Sequence, residues 1–221
     1  MDTKILGLDD IEEQNTTLEE IDSEVVNLIF VGIDASGSMF RFESDMQASL
    51  VEFKGAIENS KEADEILAAR ATFNSKINVG GYKKITEFDT DYSADGMTAL
   101  FDVIVDGKEK LIQYMTHLRQ SGMRVKAVFS IFSDGEDNCS KNSLGAAAKA
   151  IQYLNDNEIV TAFITFGDDA EGIAQQLNFK NNLKSNGNSS ELRKAFNCLS
   201  KSVIATSKSV VNPNPGDFFT F

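Results

Sequence analysis

Leu28 to Asp34 reads LIFVGID, a run in which no polar residue interrupts the apolar ones until the closing carboxylate. A half-exposed strand alternates apolar with polar residues, so a strand of this composition has both faces covered. It is therefore predicted to be a central strand of a parallel sheet. The rest of the chain agrees. Met46, Leu50, Phe53 and Ile57 recur at spacings of four, three and four over about 40–59, the stripe of a helix packed on a sheet. Ile66–Phe73 and Tyr82–Phe88 read as strands joined at Gly80-Gly81, forming an antiparallel edge hairpin. A helix over about 99–118, a strand over 125–133 (VKAVFSIFS), an Ala-rich helix over 143–155, a strand over 159–166 (IVTAFITF), a short helix over 169–177 and a closing helix over about 190–207 follow. Strands alternating with helices give the expected class: α/β, one doubly wound, mostly parallel sheet with helices on both faces.

Charge removes several function classes. The chain has 221 residues, 34 Asp and Glu against 21 Lys and Arg, and a formal net charge of −13. Neither a nucleic acid nor an anionic membrane surface suits so acidic a chain, since both require a concentrated basic face. His117 is the single histidine, which disfavours the usual zinc hydrolase sites and leaves any Ser-His or Cys-His enzyme one candidate base. Cys139 and Cys198 belong to no CxxC pair and read as reduced thiols. With no basic segment followed by an apolar one at the start of the sequence, a cytoplasmic location is expected.

Nine acids and one Lys fall within residues 1–24, so residues 1–26 are expected to form an acidic arm. The spacing of Leu18, Ile21 and Val25 allows a short amphipathic helix within it. A domain is expected over 27–208, followed by a tail over 209–221. In that tail, Pro213, Pro215 and Gly216 precede Phe218, Phe219 and Phe221, which are expected to dock on the body of the protein.

Ligands of doubly wound sheets bind at the carboxyl ends of the strands. Those ends here are Asp34-Ala35-Ser36-Gly37-Ser38 and Ser133-Asp134-Gly135-Glu136-Asp137, with Asp95-Gly96-Met97-Thr98-Ala99-Leu100 leading into a helix between them. Asp34, Ser36 and Ser38 alternate by two and so can face one side of an extended segment. Together with Thr98 and Asp134 they make an all-oxygen group, the kind that suits a hard cation such as Mg2+ better than zinc. Taken alone, Ser36 or Ser38 is equally suited to cap a helix, and Asp95, Asp102, Glu136 and Asp137 to form turns and caps.

The joint pattern of D-x-S-x-S at Asp34, Ser36 and Ser38, G-x-T-x-L at Gly96, Thr98 and Leu100, and S-D-G at Ser133–Gly135 resembles the von Willebrand factor type A (VWA) domain with its metal-ion-dependent adhesion site (MIDAS). The resemblance covers roughly Asn27 to Ser207. It implies that Ser36, Ser38 and Thr98 bind a divalent metal directly, Mg2+ or else Mn2+ or Ca2+, with Asp34 and Asp134 binding directly or through water. It further implies a protein partner that supplies a Glu or Asp carboxylate, no catalysis, and a switch in which Thr98 ligates only in a high-affinity state. Within the family the chain is most similar to compact stand-alone bacterial and phage proteins, including those associated with tellurite resistance, a likeness carried by Phe196–Val203 (FNCLSKSV).

Rival classes fit less well. Gly32–Met39 nearly matches a phosphate-binding loop, but Ser38 stands where its lysine belongs. No GxSxG elbow surrounds Ser36 or Ser38. A metal-dependent phosphoester hydrolase is the best enzymatic alternative, though the sequence offers no D-x-D pair. A regulatory alternative has an acid of the arm, from Glu12 to Glu24, or a self-associated neighbour fill the metal's open position.

Overall fold

A computed structural model of the chain describes residues 15–21, 23–62, 65–166, 170–185, 189–208 and 218–219. Its seven strands are β1 (Val25–Asp34), β2 (Ile66–Phe73), β3 (Ile77–Val79), β4 (Lys83–Lys84), β5 (Arg124–Ser133), β6 (Val160–Phe166) and β7 (Asn181–Ser185). The helices are α1 (Glu43–Glu58), α2 (Leu100–Gln120), α3 (Leu144–Asp156), α4 (Ala170–Gln176) and α5 (Ser189–Lys208). All strands join one sheet in the order β3-β2-β1-β5-β6-β7, with β4 also on β2. Pairings among β2, β1, β5, β6 and β7 are parallel; β3 and β4 run antiparallel to β2. The strand order runs out from β1 in both directions, so the switch point lies between β1 and β5. No described helix is long and apolar enough to cross a membrane.

Two separate cores explain why β1 has no polar alternation. Leu28 and Phe30 face a cluster built with α2 and α3, whereas Ile29, Val31 and Ile33 face one built with α1 and α5. All five are fully buried. The stripe Met46, Leu50, Phe53 and Ile57 of α1 fills the second cluster together with Leu192, Phe196 and Leu199 of α5. Aromatic stacking joins neighbouring strands, Phe30 on Phe129 at 4.5 Å, and ties the sheet to α5, Phe132 on Phe196 at 4.1 Å, each such pair contributing about 0.5–1.5 kcal/mol beyond its buried area. Gly107 lets α2 lie against the Phe30 ring, where a Cβ would fall 2.3 Å from Cζ.

Three local features differ from the sequence expectation. The hairpin partner of β2 is β3, and of Tyr82–Phe88 only Lys83–Lys84 joins the ladder. Tyr82 turns into one core to stack on Tyr114 at 5.3 Å, while Ile85 and Phe88 turn into the other from a 3-10 turn at Ile85–Glu87. Ile85 and Phe88, three residues apart, enter the same core, which the two-residue period of a strand does not allow. The sheet also gains β7 (NNLKS), an edge strand without apolar periodicity. Finally, β1 begins at Val25, inside the range assigned to the arm, and Leu18–Glu20 forms a 3-10 turn closed by Thr17 and Glu20 rather than a longer helix.

Residues 15–21 are not a solvated arm. Thr16 N–H donates to the Tyr82 carbonyl at 2.7 Å, and the Tyr114 hydroxyl donates to the Thr16 carbonyl at 2.8 Å. Leu18 and Ile21 pack on the α2/α3 core. The rest of the predicted arm, 1–14, lies outside the described residues. In the tail only Phe218 and Phe219 are described: Phe218 is buried in the α1/α5 core, and its N–H donates to Asn181 Oδ1 at 3.1 Å.

Candidate metal centre

Asp34 ends β1 at the switch point, with its side chain fully buried. Its Oδ1 accepts the Ser36 N–H at 2.9 Å and its Oδ2 accepts the Ser133 hydroxyl at 2.6 Å. Burial pushes the carboxyl up to about 6; the bonds from Ser133 and Ser36 pull against that, and the charge of Asp134 adds to it. Ser36 Oγ lies 3.1 Å from Ser38 Oγ, and Ser38 Oγ donates to Asp134 Oδ2 at 2.5 Å. Asp134 is oriented by the Glu136 N–H, which donates to its Oδ1 at 3.1 Å. Asp34, Ser36, Ser38 and Asp134 thus form a continuous series of polar contacts, and Ser133, the chain neighbour of Asp134, bonds back to Asp34.

The capping alternative is answered directly. Ser36 occupies the N-cap of the 3-10 turn Gly37–Phe42, yet its side chain makes no capping hydrogen bond. Its hydroxyl is turned to Ser38 instead. The first turn of α2 is capped from another loop: Phe101 N–H donates to Asp137 Oδ1 and Ser140 Oγ, and Asp102 N–H donates to Ser140 Oγ.

The middle loop is locked to both others by its backbone. Asp95 N–H donates to the Ala35 carbonyl at 2.8 Å, and Gly37 N–H donates to the Gly96 carbonyl at 3.0 Å. Gly96 has φ +79°, and a Cβ there would fall 2.6 Å from Ser75 Oγ, so the turn that presents Thr98 requires glycine. Thr98 is 1% exposed. Its N–H donates to Asn138 Oδ1 at 2.8 Å, and its carbonyl accepts from Asn138 and Cys139 N–H at 3.0 and 3.1 Å. None of these bonds uses the threonine hydroxyl. The three loops predicted to share one rim are therefore tied to one another pairwise; Asp34, Ser38, Thr98 and Asp134 take part in those ties, and Ser36 bonds within its own loop to Asp34 and Ser38.

Further residues support the site, and of these the sequence did not single out Tyr92 and Glu43. The Tyr92 hydroxyl donates to the Asp34 carbonyl at 2.5 Å, and Glu43 Oε1 accepts the Ala94 N–H at 2.6 Å, holding the 89–95 segment against β1 and α1. Such long-range contacts leave no local sequence signal. Asp102 braces the third loop. Burial would raise its pKa, but the N–H groups of Lys141 and Asn142 and the Asn142 side chain outweigh that and hold the carboxyl below its ordinary value. His117 sits 17 residues beyond the start of α2, about 26 Å along the axis, with its ring beside Tyr114.

The donor set fits a hard divalent ion. It is composed only of oxygens: the carboxylates of Asp34 and Asp134 and the hydroxyls of Ser36 and Ser38 are linked at the strand ends, and Thr98 lies on the loop tied to both others. Among the described residues no group of three or more His, Cys, Asp and Glu side chains is placed to hold a metal. A cation at this rim therefore depends on the hydroxyls.

The fold is that of a VWA-like α/β domain. No family model matches the sequence, and no curated protein sequence matches it. Among solved structures, the pilus adhesin SpaC of Lactobacillus rhamnosus GG is similar with a TM-score of 0.65 at 12% identity, over 86% of this chain and 31% of the adhesin. Proximal thread matrix protein 1 (PTMP1) of the mussel byssus gives 0.60 at 17%, over 81% and 46%. A further structure of PTMP1 has a zinc-occupied MIDAS motif. Manganese-loaded TRAP protein of Plasmodium vivax gives 0.50 at 19%, over 78% and 73%. The chain spans about a third of the adhesin and half of PTMP1, and at these identities the likeness is one of fold.

Proposed function

We propose that the chain is a non-enzymatic, divalent-metal-dependent protein–protein interaction module, in which Ser36, Ser38 and Thr98 hold Mg2+ (or Mn2+ or Ca2+) and a partner's Glu or Asp completes the coordination. The observation that carries this reading is the contact series Ser36–Ser38–Asp134, in which two hydroxyls that a helix would otherwise use as caps are turned to one another and to a carboxylate from a different strand end. A bound divalent ion supplies a positive centre that neutral hydroxyls leave largely uncompensated, so it retains attraction for an incoming carboxylate. Asp34, clamped by Ser36 and Ser133, fixes the orientation of the first loop. Asp134 balances charge from the opposite side, and the switch implied by the VWA resemblance has it draw closer when Thr98 does not ligate.

The hydrolase alternative finds no support in the geometry. No imidazole approaches the rim, since His117 is about 26 Å down α2, and both buried carboxylate oxygens of Asp34 already accept hydrogen bonds. Inhibition by the arm is disfavoured for its described acids. Glu24 precedes β1 and Asp34 ends it, a separation of about 33 Å at strand rise, and Glu20 is engaged by Thr17. Cys139 and Cys198 form no disulfide, and the proposal keeps the cytoplasmic setting expected from the sequence. The likeness to compact bacterial and phage VWA proteins, including those associated with tellurite resistance, rests on sequence alone.

Calorimetric titration of Mg2+, Mn2+ and Zn2+ into metal-stripped protein tests the reading, zinc being included because it occupies the MIDAS of PTMP1. The expected result is binding that Ser36→Ala/Ser38→Ala abolishes and that acetate tightens. Binding insensitive to those serines overturns the reading.

A further inference from the structure

Among the described residues four large apolar side chains are exposed: Phe40 at 67%, Val51 at 53%, Met97 at 51% and Tyr153 at 44%. Val51 and Tyr153 lie on α1 and α3, and Tyr153 is covered by the Lys108 ammonium at 4.6 Å. Phe40 and Met97 have a different setting. Phe40 is two residues from Ser38, Met97 adjoins Thr98, and the two loops are joined by the bond from Gly37 N–H to the Gly96 carbonyl. Half of these exposed apolar residues thus lie on the two joined loops that carry Ser38 and Thr98. Exposed charges on these loops carry both signs, Asp91, Asp95 and Glu136 with Arg41 and Lys76, on a chain of net charge −13.

We propose that Phe40 and Met97 form an apolar collar that selects a protein loop carrying one carboxylate between apolar side chains, in an otherwise neutral or basic segment. This rests on the metal-dependent reading of the site and names the partner chemistry for it. A lone carboxylate is drawn to the cation, its apolar neighbours are removed from water by the collar, and further acids in the same segment are repelled by the net charge of −13 on the chain. The same electrostatics disfavour the chain's own amino-terminal segment, in which Asp9, Asp10, Glu12 and Glu13 stand nearly side by side.

The test measures three peptides by fluorescence anisotropy in saturating Mg2+: Lys-Gly-Leu-Glu-Phe-Gly-Lys, the same peptide with both apolar flanks changed to Ser, and a peptide of the chain's own residues 6–14. The apolar-flanked peptide is expected to bind about tenfold tighter than the serine-flanked one, equivalent to about 1.4 kcal/mol, and tighter than the acidic one. Phe40→Ser/Met97→Ser should erase the tenfold preference while leaving Mg2+ affinity and the serine-flanked peptide unchanged. A preference that survives in the variant, or no peptide binding while Mg2+ binds normally, overturns the collar and leaves the metal site standing. Tightest binding by residues 6–14 overturns it in favour of the arm. Loss of Mg2+ binding in the wild-type protein overturns the site itself.

Discussion

The Ser133 hydroxyl donates to Asp34 Oδ2 at 2.6 Å, joining the ends of β1 and β5 across the switch point of the sheet. Because Asp34 is fully buried, this bond supports a charge that burial otherwise disfavours. Ser133→Ala is expected to destabilise the fold by about 1–3 kcal/mol, the usual cost of leaving a buried acceptor unsatisfied. It should also raise the Asp34 pKa above about 6 and weaken metal binding at pH 7. Urea unfolding and metal titration of the variant check both effects; loss of affinity without loss of stability is not expected.

Asp34 also sets a pH dependence. A carboxyl raised to about 6 in the folded state, against an ordinary 3.8, holds its proton more tightly folded than unfolded. Its contribution to stability is therefore complete below about pH 4 and is lost as pH rises through 6, an effect on the order of 2–3 kcal/mol. Metal competes with that proton, so affinity should fall by up to about tenfold per pH unit below 6 and level off above it. Thermal unfolding of metal-stripped protein at pH 5 and 7.5, with Asp34→Asn as control, should show the stability change in the wild type and a smaller one in the variant.

Two glycines in helices predict opposite outcomes for one substitution. Alanine favours a helix interior over glycine by about 1 kcal/mol. At Gly55 in α1 a Cβ meets nothing within 4 Å, so Gly55→Ala should stabilise by about 0.5–1 kcal/mol. At Gly107 the Cβ meets the Phe30 ring, itself stacked on Phe129, so Gly107→Ala should destabilise by about 1–3 kcal/mol despite the better propensity. Chemical denaturation of the two variants side by side measures the difference.

What the sequence revealed and what it hid follow from the range of the interactions. β1, β5 and β6 are visible because burial on both faces forces uninterrupted apolar runs, and the loops that carry the five proposed site residues because each follows a strand end or precedes a helix. β7 is hidden: an edge strand of sequence NNLKS depends on backbone pairing with β6 and on the polar contact of Asn181 with the Thr161 carbonyl. The anchoring of residues 15–21 is hidden for a similar reason, since it rests on Tyr82 and Tyr114, far along the chain. The capping of α2 by Asp137 and Ser140 is likewise a contact between segments that sequence spacing does not relate.

Thr98 and Asp102, four residues apart, should separate function from folding. Thr98 is held through its backbone, so Thr98→Ala keeps every bond that ties the middle loop to Asn138 and Cys139 and should change stability by less than about 1 kcal/mol. Its lost hydroxyl should nevertheless reduce metal-dependent carboxylate binding by about tenfold or more; unchanged affinity would show that Thr98 does not ligate. Asp102→Ala leaves the N–H groups of Lys141 and Asn142 without their acceptor and should cost about 2–3 kcal/mol. The acid limb provides a second readout. A carboxyl held below its ordinary value contributes stability above that value and loses it as pH falls through the folded pKa, so the wild type should lose more stability on acidification below pH 4 than Asp102→Ala does.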